Sequence, residues 1–523
     1  MNLETLANAP VLAAIDMGSN SFRLEMARMV QGRYQRTLYV KETVRLGAGL
    51  DAAGNLTEAS MRRGLECLRR FALPLHGIDP QHVRAVATQT LREARNRDTF
   101  LARAQSALTH PIEVISGREE ARLTYTGVAH LQPGTLDRLV VDIGGRSTEM
   151  ILGTGHVPRV AESFAVGSVG LSLRYFADGK LNVKAFRAAQ IAAGAELEEA
   201  LGTFAPAHWQ EALGSSGTVS AVSQLLVASG HGHGTITPAA LRWCIQKCVD
   251  ADHIDKLTLP GLRDDRRPVV AGGLSLLYTL CMQFGIKRLQ PSKGALRQGV
   301  IIELHHRLKA QTARRGARSL LAPQATPSRR LQGQGVDARD HTVQQLLLRF
   351  NADKRQAQRV RNAALALHAH VAPTVAQQQE LAWAATLHEV GHLVSHHDHH
   401  RHSAYLLSHA DAAGFSQNEQ RRMSTFVLGQ RGGLRKIESL LQQPGCVWQV
   451  MSLRLAVIFC HARTAAPLQA MRLTVRAGHA TLTLDRDWAN AHPRTLHLLS
   501  EEAAVWRRDT LHPLTVNADA AAV

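Results

Sequence analysis

A chain of 523 residues is too long for one ordinary domain and has room for roughly three to four. A hydrophobic share of 45% excludes global disorder, and six cysteines in such a length exclude a disulfide scaffold and fit a reduced, cytoplasmic setting. The formal charge of +18 attracts polyanions (nucleic acid, polyphosphate, nucleotides or an acidic membrane surface) without choosing among them.

No secretory signal is expected at the N-terminus, because Glu4 comes early and the apolar run 11–15 is short and ends in Asp16. That run reads as a strand, and Phe22–Val30 alternates as a second, with residues 18–21 turning between them. Residues 61–73 place apolar side chains at helical spacing, with arginines opposite. Residues 139–143 then open a second region on the same plan, with 149–152 as the returning strand. Asp16-Met17-Gly18-Ser19-Asn20-Ser21 and Asp142-Ile143-Gly144-Gly145-Arg146-Ser147 share an acid after an apolar strand, a glycine two residues on and a closing hydroxyl. Such an internal repeat predicts two α/β lobes facing each other across a cleft.

Further along, Trp243, Cys244 and Cys248 read as a packed helix face, with no second cysteine pair to complete a zinc site. Residues 269–286 are weakly polar but contain Ser275, Thr279, Gln283 and three glycines, which predicts a buried helix rather than a membrane span. Residues 309–340, rich in Arg, Gln, Pro and Gly, read as a linker with some helix, its arginine runs 314–318 and 329–330 expected to be solvated, with contact to polyphosphate or nucleic acid as the alternative. From 341 to about 441 the pattern is helical, and residues 472–484 alternate around Gly478 as a hairpin does. The expected divisions are 1–127 and 128–308 for the lobes, 309–340 for the linker, 341–445 for a helical domain and 446–523 for a small α+β domain.

The repeated turns carry the chemistry. Glycine lets successive backbone N–H groups converge on one point, and such a nest binds phosphate oxygens. Asp16 and Asp142 would repel phosphate unless a divalent cation lies between, most simply Mg²⁺ with retained waters. The strand–turn–strand setting argues against a Rossmann or Walker loop, which leads into a helix.

These two loops resemble the phosphate loops of the exopolyphosphatase/guanosine pentaphosphate phosphatase (Ppx/GppA) family, within the actin-like ATPase superfamily. Matching segments at 87–92, 115–122, 214–218 and 294–299 follow in the family's order, so the likeness spans residues 11 to about 305, and the C-terminal half resembles the family's long members. The resemblance implies a duplicated two-lobe actin-like α/β fold, followed by an all-α HD-like domain and a small α+β domain. It implies Glu120 as the base that activates water, Arg92 as a neutraliser of phosphate charge, and Asp142, assisted by Glu149, at Mg²⁺. Phosphate would be held by Gly18, Ser19, Asn20 and Ser21, by Gly144, Gly145, Arg146, Ser147 and Thr148, and by Ser216, Gly217 and Thr218. Two positions depart from the pattern: Arg146 stands for a third glycine, and Lys293 stands where an acid often precedes Gly294. Arg146 is expected to bind phosphate directly, with crowding of the loop as the opposing outcome.

His388-Glu389-Val390-Gly391-His392 spells the H-E-x-x-H string of zinc peptidases, and His396 would share its face on a helix. The surroundings instead resemble an HD-type helical domain, with Glu389 where the metal-binding aspartate stands, so a structural role is expected ahead of a metal site, and a metal site ahead of a peptidase.

The leading expectation is an exopolyphosphatase that removes terminal orthophosphate processively from inorganic polyphosphate. The alternative is a guanosine pentaphosphate (pppGpp) 5′-phosphohydrolase, and a third reading of another class is a catalytically impaired regulator that binds polyphosphate or the alarmone. No nucleic-acid motif with interleaved aromatics appears, at an aromatic content of 5%. A homodimer is expected from the resemblance, and peripheral membrane association stays open.

Overall fold

The computed structural model describes residues 9–319, 337–395 and 398–518, so most of the expected linker and His396 lie outside the described residues. The chain divides into two compact units, Met1–Gly335 and Val336–Val523.

The first unit is built from two five-stranded sheets. In chain order the strands are β1 (Val11–Met17), β2 (Phe22–Val30), β3 (Arg33–Glu42), β4 (Val83–Ala87) and β5 (Ile112–Val114), then β6 (Asp137–Ile143), β7 (Thr148–Thr154), β8 (Val157–Phe164), β9 (Glu211–Ser215) and β10 (Leu289–Pro291). The first sheet runs β3-β2-β1-β4-β5 and the second β8-β7-β6-β9-β10, the same connectivity twice. In each, the opening hairpin is antiparallel and the third neighbour pairs parallel to the first strand. β1 is an almost unbroken apolar run because both its faces are covered. This duplicated, mixed α/β architecture is the actin-like fold.

Helices cover the sheets. Glu58–Leu75 starts at Thr57, whose hydroxyl accepts from the Ser60 amide, and buries Met61, Leu65, Leu68 and Phe71. Val270–Gln283 is buried along most of its length and forms the core of the second lobe, as its weak polarity predicts. Helix Leu296–Ser319 departs from expectation. A lobe boundary at 308 assigns it to the second lobe, yet Leu296, Val300, Ile301 and Leu304 pack with Leu12, Ala14 and Leu123 of the first. Its apolar face finds the uncovered side of β1, and the chain returns to the lobe where it began. The crossing with helix Gly117–Leu131 is close: a Cβ on Gly299 would overlap the Leu123 carbonyl oxygen, and one on Gly127 would overlap that of Ala295.

The second unit is helical with one small sheet. Capping boxes at Thr374 and Ser416 set the starts of Val375–Leu387 and Gln417–Gly429. The hairpin β11 (Met471–Arg476) and β12 (His479–Leu484) turns through Ala477 and Gly478 at φ 47° and 81°, the left-handed pair a two-residue hairpin loop requires. β13 (Leu514–Asn517) adds in parallel. One apolar core runs from Val343 through Leu381 and Val450 to Leu473, Leu482 and Trp506, so helices and sheet share it across position 446. The H-E-x-x-H string does not lie on a helix. Val375–Leu387 ends with His388 at its C-cap, and Val390–Leu393 is a short 3₁₀ turn, so His388 and His392 lack the one-face geometry of a zinc peptidase. No helix among the described residues is long and apolar enough to cross a membrane.

Candidate active site

Between the two sheets of the first unit lies a cleft of about 560 Å³. The hairpins β1–β2 and β6–β7 each deliver their turn to it. Gly18, Ser19, Asn20 and Ser21 line one side, and Gly144, Gly145 and Ser147 the other. The turns almost touch, since a Cβ on Gly145 would stand 3.2 Å from the Ser19 Cβ. Each loop is fixed from behind. Ser19 and Asn20 carbonyls accept from the Gly47 and Arg45 amides at 2.8 and 2.9 Å, and the Gly145 carbonyl accepts from Val169 and Gly170 at 2.8 and 3.0 Å.

A third segment enters from β9. Ser216 has φ 147°, a strained value for a side chain-bearing residue. Its hydroxyl caps helix Gly217–Ala228 by accepting from the Val219 amide at 3.1 Å, and Ser216, Gly217 and Thr218 all line the cleft. Thr218 donates to the Ile143 carbonyl at 3.3 Å and thereby braces the second loop.

The two loop acids differ because of what stands opposite them in the sheet. Asp16 pairs in register with Arg23, whose Nη1 lies 3.0 Å from Asp16 Oδ2, and Arg297 Nη1 approaches the same oxygen at 3.5 Å. Asp142 pairs in register with Glu149. The first loop therefore carries an acid neutralised by arginines, while the second carries an acid beside another acid. Glu120, in the first turn of the helix capped by Ser116, also faces the cleft. Burial pushes the Asp142 carboxyl up to about 7, with the Glu120 and Asp16 charges adding to it against Arg23 and Arg297. Burial likewise raises Glu120, against Arg92, and raises Glu149 well above the usual range, with Glu120 and Asp142 adding. Three carboxylates crowded on the partly desolvated floor of the cleft make a place for a cation.

Arg92 holds Glu120 rather than facing the cleft directly. Its Nη1 lies 2.9 Å from Glu120 Oε2 and donates to the Ile115 carbonyl at 3.0 Å, while Gln89 Oε1 accepts from its Nε at 2.9 Å. Glu149 accepts from Ser163 at 2.8 Å. Thr148 is buried and donates to the Val166 carbonyl at 2.6 Å, so it supports the loop from inside. Arg146, expected at the phosphate, turns away: its Nε lies 2.7 Å from Glu93 Oε2, and it does not line the cleft. The side chain runs over Gly47 and leaves the backbone nest open.

Sequence reasoning missed much of the positive wall. Arg23, Arg36, Lys41, Arg263, Arg266 and Arg297 all line the cleft, as does Lys293. Lys41 on β3 forms an ion pair with Asp265 of the other lobe at 3.1 Å. Burial lowers both Lys41 and Arg266, and neighbouring cations add to it, Arg266 on Lys41 and Arg23 on Arg266. Crowded, partly desolvated cations mark a surface shaped for an anion. Of these, Arg23 was within reach of the sequence, since it directly follows the first loop and Phe22.

Fold and site together define an actin-like, two-lobed protein whose paired loops converge on a cleft with acids on its floor and cations on its wall. The Ppx/GppA phosphatase family profile matches residues 26–308, and that of Ppx/GppA phosphatase, domain III, matches 338–503. The chain belongs to the Ppx/GppA phosphatase family and is a phosphoanhydride hydrolase of that family. It is 35% identical over 509 residues to a guanosine-5′-triphosphate,3′-diphosphate pyrophosphatase of Pseudoalteromonas translucida, covering 94% of this chain and 96% of the relative. The protein of the same name from Aeromonas hydrophila is 33% identical over 495 residues, at 93% and 94% coverage. An exopolyphosphatase structure from Cytophaga hutchinsonii superposes with a TM-score of 0.51 at 24% identity, over 56% of this chain and 97% of that one, a likeness of fold.

Proposed function

We propose that the chain hydrolyses the terminal 5′ phosphoanhydride of guanosine 5′-triphosphate 3′-diphosphate, giving the tetraphosphate and orthophosphate. The observation that carries hydrolysis is Glu120, which faces the cleft beside both loops, is mostly shielded from solvent and is aimed by Arg92. The choice of substrate is supported by the full-length relatives named as guanosine-5′-triphosphate,3′-diphosphate pyrophosphatases, which favours it over the polyphosphate reading. Long-chain polyphosphate is the second reading, favoured by the +18 charge.

The residues act as follows. The backbone N–H groups of the two loops hold the terminal phosphate, and Arg23 and Arg297 shield it from Asp16. Glu120 accepts a proton from a water as its oxygen forms a bond to the terminal phosphorus, and the anhydride P–O bond breaks on the opposite side. The leaving phosphate oxygen departs as an anion towards the cationic wall. The raised proton affinity of Glu120 suits a base better than an ordinary carboxylate would. Asp142 and Glu149 present hard oxygen donors in a crowded acidic floor, a set that fits Mg²⁺. When bound, that ion supplies neutralisation of the phosphate charge.

The test is parallel turnover on pppGpp and long-chain polyphosphate by the parent and by Glu120→Gln. We expect higher kcat/KM on pppGpp, and a fall in kcat of about 10²–10⁴ in the variant with KM nearly unchanged. Preference for polyphosphate would overturn the substrate assignment. Equal phosphate release by parent and variant would overturn the role of Glu120.

A further inference from the structure

The second unit holds a cluster that the phosphatase cleft does not use. Glu389 and His392 lie on the turn after helix Val375–Leu387, and His399 opens helix His399–His409. One ligand atom from each lies within 4.8 Å of the others, and the His392 and His399 rings meet edge to face at 4.4 Å. Around a bound zinc, neighbouring ligand atoms stand about 3.4 Å apart, so small side-chain rotations close the set.

A second observation points the same way. His388 is buried, and its Nδ1 lies 2.7 Å from the Ala385 carbonyl, to which it must donate. In the neutral ring its Nε2 therefore carries the lone pair. That atom makes no hydrogen bond and faces Glu389 Oε1 at 3.7 Å. A lone pair aimed at a carboxylate is satisfied by a cation between them. Arg463 reaches Glu389 Oε2 from the solvent side at 2.7 Å, and its side chain is 43% exposed, which makes it a displaceable partner. The backbone is already in place: Ser403 Oγ donates to the His388 carbonyl at 2.9 Å and accepts from the Gly391 amide at 2.8 Å.

We propose that Glu389, His392 and His399, with His388 at the fourth position, bind a borderline transition-metal ion, Zn²⁺ by donor type, which clips the turn to the following helix. Two or more imidazoles with one carboxylate suit zinc far better than Mg²⁺ or Ca²⁺. The site is a clip rather than a peptidase centre, since its residues do not share one helix.

The experiment uses the full-length chain without an affinity tag. After chelator treatment, Zn²⁺ binding is followed by equilibrium dialysis and Co²⁺ binding by visible spectroscopy. We expect one Zn²⁺ per chain and a tetrahedral Co²⁺ spectrum. The double variant His392→Gln/His399→Gln should bind Zn²⁺ at least 100-fold more weakly while retaining phosphate release and its circular dichroism spectrum. His409→Ala, at an exposed histidine, should bind like the parent. No stoichiometric Zn²⁺ in the parent, or equal binding by the double variant, would overturn the assignment. Should the double variant misfold, loss of the Co²⁺ bands in His399→Gln alone serves the same end, and their persistence refutes the site.

Discussion

At Arg146 the chemistry is decided by direction. A guanidinium on a phosphate loop invites a phosphate contact, but this one pairs with Glu93 at 2.7 Å and is 28% exposed. Pairs this exposed contribute little, typically under about 1 kcal/mol. Arg146→Gly should therefore change KM and kcat for phosphate release less than about threefold, and a tenfold rise in KM would show that the side chain swings in on binding. Asp142 is the opposite case, because its burial and the Glu120 and Asp16 charges outweigh the opposing Arg23 and Arg297. Its carboxyl is raised from 3.8 to about 7 in the fold, so the protonated form is the one that folding favours. In protein stripped of divalent ions that contribution is present below about pH 4 and is lost as pH rises through about 7. Glu149 and Glu120 shift the same way. The melting temperature of the stripped protein should fall from pH 5 to 8 and Asp142→Asn should flatten the fall, whereas a slope unchanged by the variant would place the effect elsewhere. The repeated acids, glycines and hydroxyls were legible in the sequence because each loop is local. Their inequality was not, because it depends on cross-strand register, which sets Arg23 against Asp16 and Glu149 against Asp142.

Whole elements were legible where periodicity is strong. Phe22–Val30, the hairpin around Gly478 and the buried helix near 270–283 all appear where the pattern places them. The destination of helix Leu296–Ser319 was not legible, since an apolar face does not say which sheet it will cover. Nor was most of the cationic wall, since Arg36 and Lys41 come from β3 and Arg263 and Arg266 from the stretch before residue 270, distant in sequence and brought together at the cleft. The close crossing between the helices at Gly117–Leu131 and Leu296–Ser319 has a direct consequence. Three glycines, Gly127, Gly294 and Gly299, let two backbones approach to a distance at which any side chain collides with a carbonyl. Gly299→Ala must push the helices apart, and overpacking of this kind costs about 1–3 kcal/mol. Denaturant unfolding should show that loss. The same helix carries Arg297 and Gln298, which bind Glu25 at 3.2 and 2.7 Å, so kcat should fall as well. Unchanged stability would mean that the helices separate without strain.

At the scale of the molecule, the apolar cores decide how the chain comes apart. The cores of the first unit and the single core of Val343–Leu514 share no residue. Proteins with separate cores need not unfold as one cooperative body. Calorimetry should resolve two transitions, and each ligand should move only the transition of the unit that binds it. A non-hydrolysed phosphate ligand at 100 times its Kd stabilises by about 2.7 kcal/mol, enough to raise one transition by several degrees. Gly299→Ala should lower that same transition and leave the other in place. Zn²⁺ should raise the other, and only while His392 and His399 are present. A single transition that responds to both ligands would mean that the units unfold as one body despite their separate cores. Two transitions that answer to different ligands would instead show a phosphatase whose catalytic and metal-clipped halves are stabilised independently.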